Sequence, residues 1–250
     1  MDIQIRPQKA QSLSDAFVKS MEKLIISGRL KTGERLPSER ELAAGMNVSR
    51  PVVHEGLMKL AHLGLVTQKP RSGTQVNDYR KSGSVALLNS LLEYSSAEIE
   101  PTLLSSLLDM RELLEVEIAR LAATLRSREQ LFALRKQLLI ERLNFRLPAE
   151  ELAEADFKFH HLLAMASGNM VYPLLLNSFK SVIINLSELF YSNRKVLKEV
   201  LGYHSQLFEA VKEKDVETAS ETMRILIRHG REYLYRSFPS ENSEYRKEEK

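Results

Sequence analysis

Two groups of residues in this 250-residue chain have the side chains and the spacing for chemistry. In ADFKFHHLLAMASGN (residues 155–169), Asp156 and His160 stand four residues apart. On a helix that spacing places a carboxylate and an imidazole on one face, close enough to share a cation. Arg111 precedes Glu115 by the same interval, and an arginine inside a helical bundle needs a carboxylate beside it. Either Glu115 or an external organic acid would serve. The second group is basic. Arg40, Arg50 and Arg71 fall within ERLPSERELAAGMNVSRPVVHEGLMKLAHLGLVTQKPRSGTQV (residues 34–76). Cations at helix N-termini oppose the helix dipole, so a basic helix start does not serve local stability. Near phosphates and guanine edges the same guanidinium groups bind DNA. Plain solvated surface is the alternative for each alone, and it weakens when three fall on helix, helix and hairpin.

The elements that position the basic group follow from capping and periodicity. Ser38 with Glu41 three residues on makes a capping box after Pro37. Leu42 and Met46 face inward, and Gly45-Met46-Asn47 supplies a turn. Ser49 caps the next helix, with Arg50 and Pro51 in its first turn. Val53, Leu57 and Leu60 form one buried stripe, which leaves Arg50, His54 and Lys59 off it. Gly64 ends that helix, Leu65 to Thr67 reads as a strand, Pro70 to Gly73 turns, and Thr74 to Val76 returns. Upstream, Leu13, Phe17, Met21, Leu24 and Ile25 share a helical face closed by Gly28. This order is that of a winged helix-turn-helix.

Charge agrees with that assignment. Residues 1–80 hold 13 Lys and Arg against 8 Asp and Glu, a net +5, while the whole chain is +3. The excess sits where a nucleic-acid partner would want it. No cysteine is present, which removes disulfides and thiol chemistry and suits a reducing cytoplasm. The start of the chain lacks an apolar leader, and no window approaches the roughly 18–20 apolar residues of a bilayer span, so a soluble cytoplasmic protein without membrane contact is expected. No G-x-S-x-G, no phosphate-binding loop and no cysteine nucleophile occurs, and no spare carboxylate is placed as a general base, so no enzyme is expected.

After Val76 the texture changes. The expected boundaries are a DNA-binding domain at 1–78, a polar linker at 79–84 (or the start of a connecting helix there), an all-helical domain at 85–238 and a charged, disordered tail at 239–250. Leu103, Leu107, Met110, Leu114 and Ile118 make one helical stripe. Leu131, Leu134, Leu138 and Ile140 belong to a second helix, and Phe157, His160, His161, Ala164 and Met165 to a third. Leu174 to Phe190 is apolar on most faces and reads as the centre of the bundle. Leu207, Ala210 and Val211, then Ala219, Met223, Leu226 and Ile227, give two more. The fold class is mostly α: an N-terminal winged helix-turn-helix followed by an all-α antiparallel bundle of six or seven helices. His62 and His229 read as exposed. His161 points about 100° from His160 and would not share its ligand. Tyr172, Tyr191, Tyr203 and Tyr233 fit either a pocket wall or ordinary core.

Three segments, ERLPSERELA, VSRPVVHEGLMKL, and GLV followed by RSGTQV, resemble the DNA-binding domain of the GntR family of bacterial transcription regulators over residues 12–78. The resemblance implies that Arg40 and Arg50 contact DNA, and the expected DNA-facing set is Arg40, Ser49, Arg50, His54, Lys69, Arg71 and Gly73. The family usually carries a further arginine where this chain has His54, and a histidine cannot make the bidentate fork to guanine.

The helical part is similar to the effector domain of the FadR subfamily. The similarity rests on Met110-Arg111 through Glu115 to Ala122-Ala123, on Ala155 to Asn169, and on Tyr203 to Leu207 followed by Lys214-Asp215 and Ala219. It implies that His204 joins Asp156 and His160 around a metal. The subfamily's fourth ligand position is Leu226 here, and His229 lies three residues on, roughly 60° around the helix. Three ligands with water can hold zinc or nickel, and a metal-free polar pocket is the alternative. The segments SGSVALLNSLLEY, MASGNMVYPLLLNS and LGYHSQL are similar to fatty-acid-responsive members, which implies an acyl-CoA or fatty-acid effector. An organic acid held by Arg111, Asn169 and a metal is the rival, and the expected effector-binding set is Arg111, Asn169, Tyr172 and His204. The resemblance also implies a homodimer on double-stranded operator DNA, responsive to a small-molecule effector. A constitutive DNA binder whose bundle only dimerises is the remaining alternative.

Overall fold

The computed structural model describes residues 12–69, 73–94, 101–144 and 146–237. They divide into two compact units, one through Leu91 and one from Leu92.

In the first unit, Ser12 caps α1 (Leu13–Ile26), its hydroxyl accepting the Asp15 N–H at 3.1 Å. Phe17, Met21 and Ile25 enter the core as the periodicity predicts, but Leu13, in the first turn, is 63% exposed. The Ser38–Glu41 capping box forms in both directions at the start of α2 (Glu39–Met46). Asn47, in the left-handed conformation at φ 53°, then turns the chain toward α3, a position that a short polar side chain tolerates. α3 (Arg50–His62) begins after Ser49, which has the extended backbone of a cap while its side chain makes no capping bond. Val53, Leu57 and Leu60 are fully buried, and α3 packs against both α1 and α2.

The wing is β1 (Val66–Lys69) paired antiparallel with β2 (Gly73–Val76), Val66 opposite Val76 and Lys69 opposite Gly73. A third rung lies on the other side of β2. Val76 N–H donates to the Glu34 carbonyl and Leu36 N–H to the Thr74 carbonyl, both at 2.9 Å. No alternation in residues 33–36 announced it. The stretch 79–84, expected as a linker, contains a short helix, α4 (Tyr79–Ser82), capped by Asp78. α5 (Val85–Tyr94) follows, and Leu87 is buried in the core of the first unit, so the helix assigned above to the second domain begins in the first.

The second unit is all-helical: α6 (Pro101–Leu125), α7 (Arg128–Leu143), α8 (Ala149–Ala166), α9 (Val171–Ser178), α10 (Lys180–Tyr191), α11 (Val196–Glu213) and α12 (Val216–Ser237). α8 is the hub, touching α6, α7, α9 and α10, while α11 closes against α6, α7 and α12. The apolar run 174–190 is not one central helix. It breaks at Phe179, whose N–H closes back onto Leu176 at 3.1 Å. Leu174 is 64% exposed, whereas Val182, Ile183, Leu186 and Phe190 are buried.

Candidate functional site

The first unit presents a basic surface. With Val53, Gly56, Leu57 and Leu60 turned inward, the opposite ridge of α3 carries Arg50, His54, Met58 and His62 at four-residue spacing, all exposed. Lys59 is tied sideways, to Asp15 at 2.7 Å and Glu55 at 2.9 Å, and braces α3 on α1. Arg40 is exposed in the first turn of α2, and Lys69 and Gly73 are exposed at the end of the wing. Gly73 has φ 79°, a conformation that glycine adopts at no steric cost. Arg71 lies outside the described residues. The contact between His54 Nδ1 and Glu39 Oε1, at 2.8 Å, links α3 to α2.

The second unit buries a polar cluster to which five helices contribute. Asp156 and His160 come from α8, His204 from α11, Arg111 and Glu115 from α6, Glu141 from α7 and Tyr191 from α10. One ligand atom from each of Asp156, His160 and His204 lies within 4.8 Å of the others. Glu141 Oε2 accepts from His204 Nδ1 at 2.7 Å, and Glu115 Oε2 contacts His160 Nδ1. An ionised carboxylate only accepts, so each contact places a proton on Nδ1 and turns Nε2 inward. The two Nε2 atoms stand 3.9 Å (His160) and 3.5 Å (His204) from Asp156 Oδ1. His204 Nε2 is buried with no hydrogen-bond partner among the described residues, and Phe159 stacks on its ring at 4.1 Å. Tyr191 donates its hydroxyl to Asp156 Oδ1 at 2.7 Å. One carboxylate and two imidazole nitrogens, each histidine backed by a glutamate, fit zinc or nickel with water filling the remaining positions.

Electrostatics follow from the burial. Desolvation alone would raise the Glu115 carboxyl, but Arg111 and then His160 outweigh it and hold it at about 2. Desolvation would lower His160, yet Glu115 and Asp156 push it above its ordinary value. Burial, reinforced by Asp156, raises the Tyr191 phenol well above 10.0, which keeps it a neutral donor. Arg111 donates from Nε to Glu115 Oε1, so the internal partner anticipated from spacing is in place. The guanidinium also lines a cavity of about 40 Å³ with Asp156, His160, Ser187, Tyr191, Leu226 and Arg231.

The structure does not gather the whole expected effector set. Asn169 accepts the Val171 N–H at 2.9 Å at the start of α9, and Tyr172 is half-buried on α9. Neither lines that cavity. His229, expected exposed, is half-buried and pairs with Glu199 at 2.9 Å, and Leu226 lines the cavity. Glu141 was not anticipated as a member of the cluster, although it left a signal: it shares the buried face of α7 with Leu134, Gln137 and Leu138, and a carboxylate on an apolar stripe asks for a partner. Of the four tyrosines that fit either a pocket wall or ordinary core, Tyr191 lines the cavity, and its bond to Asp156 could not be read from spacing.

A helix-turn-helix with a wing, in one chain with an all-helical unit, defines the class of two-part DNA-binding regulators. Residues 13–76 match the model for bacterial regulatory proteins of the gntR family, and residues 106–229 match the FCD domain. The chain therefore belongs to the GntR family of bacterial transcription regulators, with an FCD effector domain, and is a regulator rather than an enzyme. It is 28% identical to the fatty acid metabolism regulator protein of Proteus mirabilis over 86% of this chain and 88% of that one. It is 31% identical to the Glc operon transcriptional activator of Escherichia coli over 89% of each. Among solved structures it is similar to Lar, described as controlling the Listeria monocytogenes agr system, with a TM-score of 0.57 and 18% identity over 92% of this chain and 99% of that one. No helix among the described residues is long and apolar enough to cross a membrane.

Proposed function

We propose that this regulator holds a divalent cation on Asp156, His160 and His204, binds a small carboxylate effector beside it, and works as a homodimer whose affinity for operator DNA depends on that occupancy. One observation supports this above the others. Two buried glutamates direct both histidine Nε2 atoms at one carboxylate oxygen, an arrangement that costs desolvation energy unless something shares it. A cation there would be an electrophilic anchor for a carboxylate, and Arg111 keeps further N–H donors for the same anion. Size favours a small ligand. A water needs roughly 10–15 Å³, so about 40 Å³ takes an ion with a water or two and a small acid only by modest widening.

A second reading has its own support. Leu186, Phe190, Val200, Leu226, Ile227 and Leu234 also face the cavity, and nothing stands within 4 Å of where a side chain would start at Gly230. That apolar wall suits an acyl chain, as the name of the Proteus relative would suggest. It requires the helices to open.

An effector changes operator affinity only by binding the DNA-competent and incompetent states unequally. Native mass spectrometry of the purified chain should show a zinc or nickel mass that Asp156→Ala loses. Titration of operator DNA, with metal present, should then respond to short hydroxy- or dicarboxylates and not to long-chain acyl-CoA. Retention of no metal, or a response to acyl-CoA alone, would overturn the first reading in favour of the second.

A further inference from the structure

We propose that His54 reads a base offering a hydrogen-bond donor in the major groove, the N4 amino group of cytosine or the N6 amino group of adenine, and that Glu39 is the residue that positions it to do so. The inference rests on α3 being the helix that enters the groove, and goes on to say what that helix recognises.

His54 sits on the exposed ridge of α3, one turn after Arg50. Its Nδ1 lies 2.8 Å from Glu39 Oε1, while 61% of the His54 side chain and 32% of the Glu39 side chain remain exposed. A carboxylate has no proton to give, so the contact assigns the proton to Nδ1. In the neutral ring the other nitrogen, Nε2, is then an acceptor only. It has no partner among the described residues and lies on the ring edge opposite the Glu39 contact. Of the major-groove edges, guanine shows acceptors at N7 and O6, whereas cytosine and adenine show amino donors. An acceptor at this place on the ridge therefore selects against guanine, the base an arginine there would favour. Glu39 also adds a negative charge close to the DNA-facing ridge, which is unhelpful for phosphate affinity. Orienting the ring is a function that offsets that cost.

The test is selection of operator sequences from a randomised duplex library at pH 8 with the full-length chain, comparing wild type with His54→Ala, His54→Arg, Glu39→Ala and Arg50→Ala. The wild type should prefer cytosine or adenine at one position per half-site by roughly 3- to 10-fold, the range of a single net hydrogen bond. His54→Ala should flatten that position alone, His54→Arg should convert it to guanine, and Glu39→Ala should weaken the preference while overall affinity holds or rises. If the position that His54→Ala flattens prefers guanine in the wild type, the acceptor assignment is wrong. An unchanged preference in Glu39→Ala removes its positioning role. Should Arg50→Ala leave binding to every sequence intact, α3 is not the reading helix, and the failure lies in the docking premise.

Discussion

Glu115 shows how a single side chain can hold a buried polar interior together. Its two oxygens face Arg111 and His160; Glu115 and His160 are buried and the Arg111 side chain is 15% exposed. Glu115→Gln would leave both cations without their counter-charge, and breaking a buried pair from one side costs about 3–5 kcal/mol. Urea denaturation at pH 7 with chelator present should show a loss of that size, and a midpoint equal to wild type would refute the assignment. The pH dependence has a defined sign. Because the folded carboxyl lies at about 2 against an ordinary 4.5, its stabilisation is complete above 4.5 and is lost as pH falls from there toward about 2. His160 acts in the opposite sense. Raised above 6.5, it contributes fully below that value, and its share disappears as pH rises through the folded pKa. The Gln variant should lack the acid-side slope.

At the scale of elements, two helical glycines separate packing from propensity. Gly56 faces α1, and a Cβ there would collide with the ring of Phe17. Gly202 on α11 is exposed with no atom within 4 Å of that position. Alanine normally gains roughly 0.5–1 kcal/mol over glycine inside a helix. Gly202→Ala should therefore stabilise by that amount. Gly56→Ala should destabilise by about 1–3 kcal/mol, because the α1–α3 crossing is already full. Thermal melts of both variants check the pair, and a stabilising shift in Gly56→Ala would mean that α1 and α3 are not in this close contact. Capping and periodicity had marked α3 correctly from sequence, yet nothing in the one-dimensional pattern distinguished these glycines. Their difference is a matter of which neighbour lies across from each.

At the scale of the molecule, one reading surface per chain makes a weak address. In the homodimer proposed above, two copies on a near-palindromic operator would place two α3 helices in successive major grooves, about 34–36 Å apart. Native mass spectrometry of the complex should give two chains per duplex, and insertion of five base pairs between half-sites should abolish tight binding by turning one site to the far face. A single chain per operator with unaltered affinity would exclude the dimeric arrangement.

The sequence by itself determined the reading head and its charge. The Ser38–Glu41 capping box, the turn at Gly45 to Asn47 and the Val53–Leu57–Leu60 stripe are local, and local interactions are written within a few residues of chain. It also determined Asp156 and His160 as neighbours, since a four-residue helical interval is a distance. Only the tertiary structure decided which groups from α6, α7, α10 and α11 meet them. Tyr191 on Asp156 and Glu141 behind His204 depend on helix rotation and crossing. The same holds for Glu39 against His54, fifteen residues apart on separate helices. Those parameters are set by how many side chains pack at once, a sum to which no short stretch of sequence holds the answer.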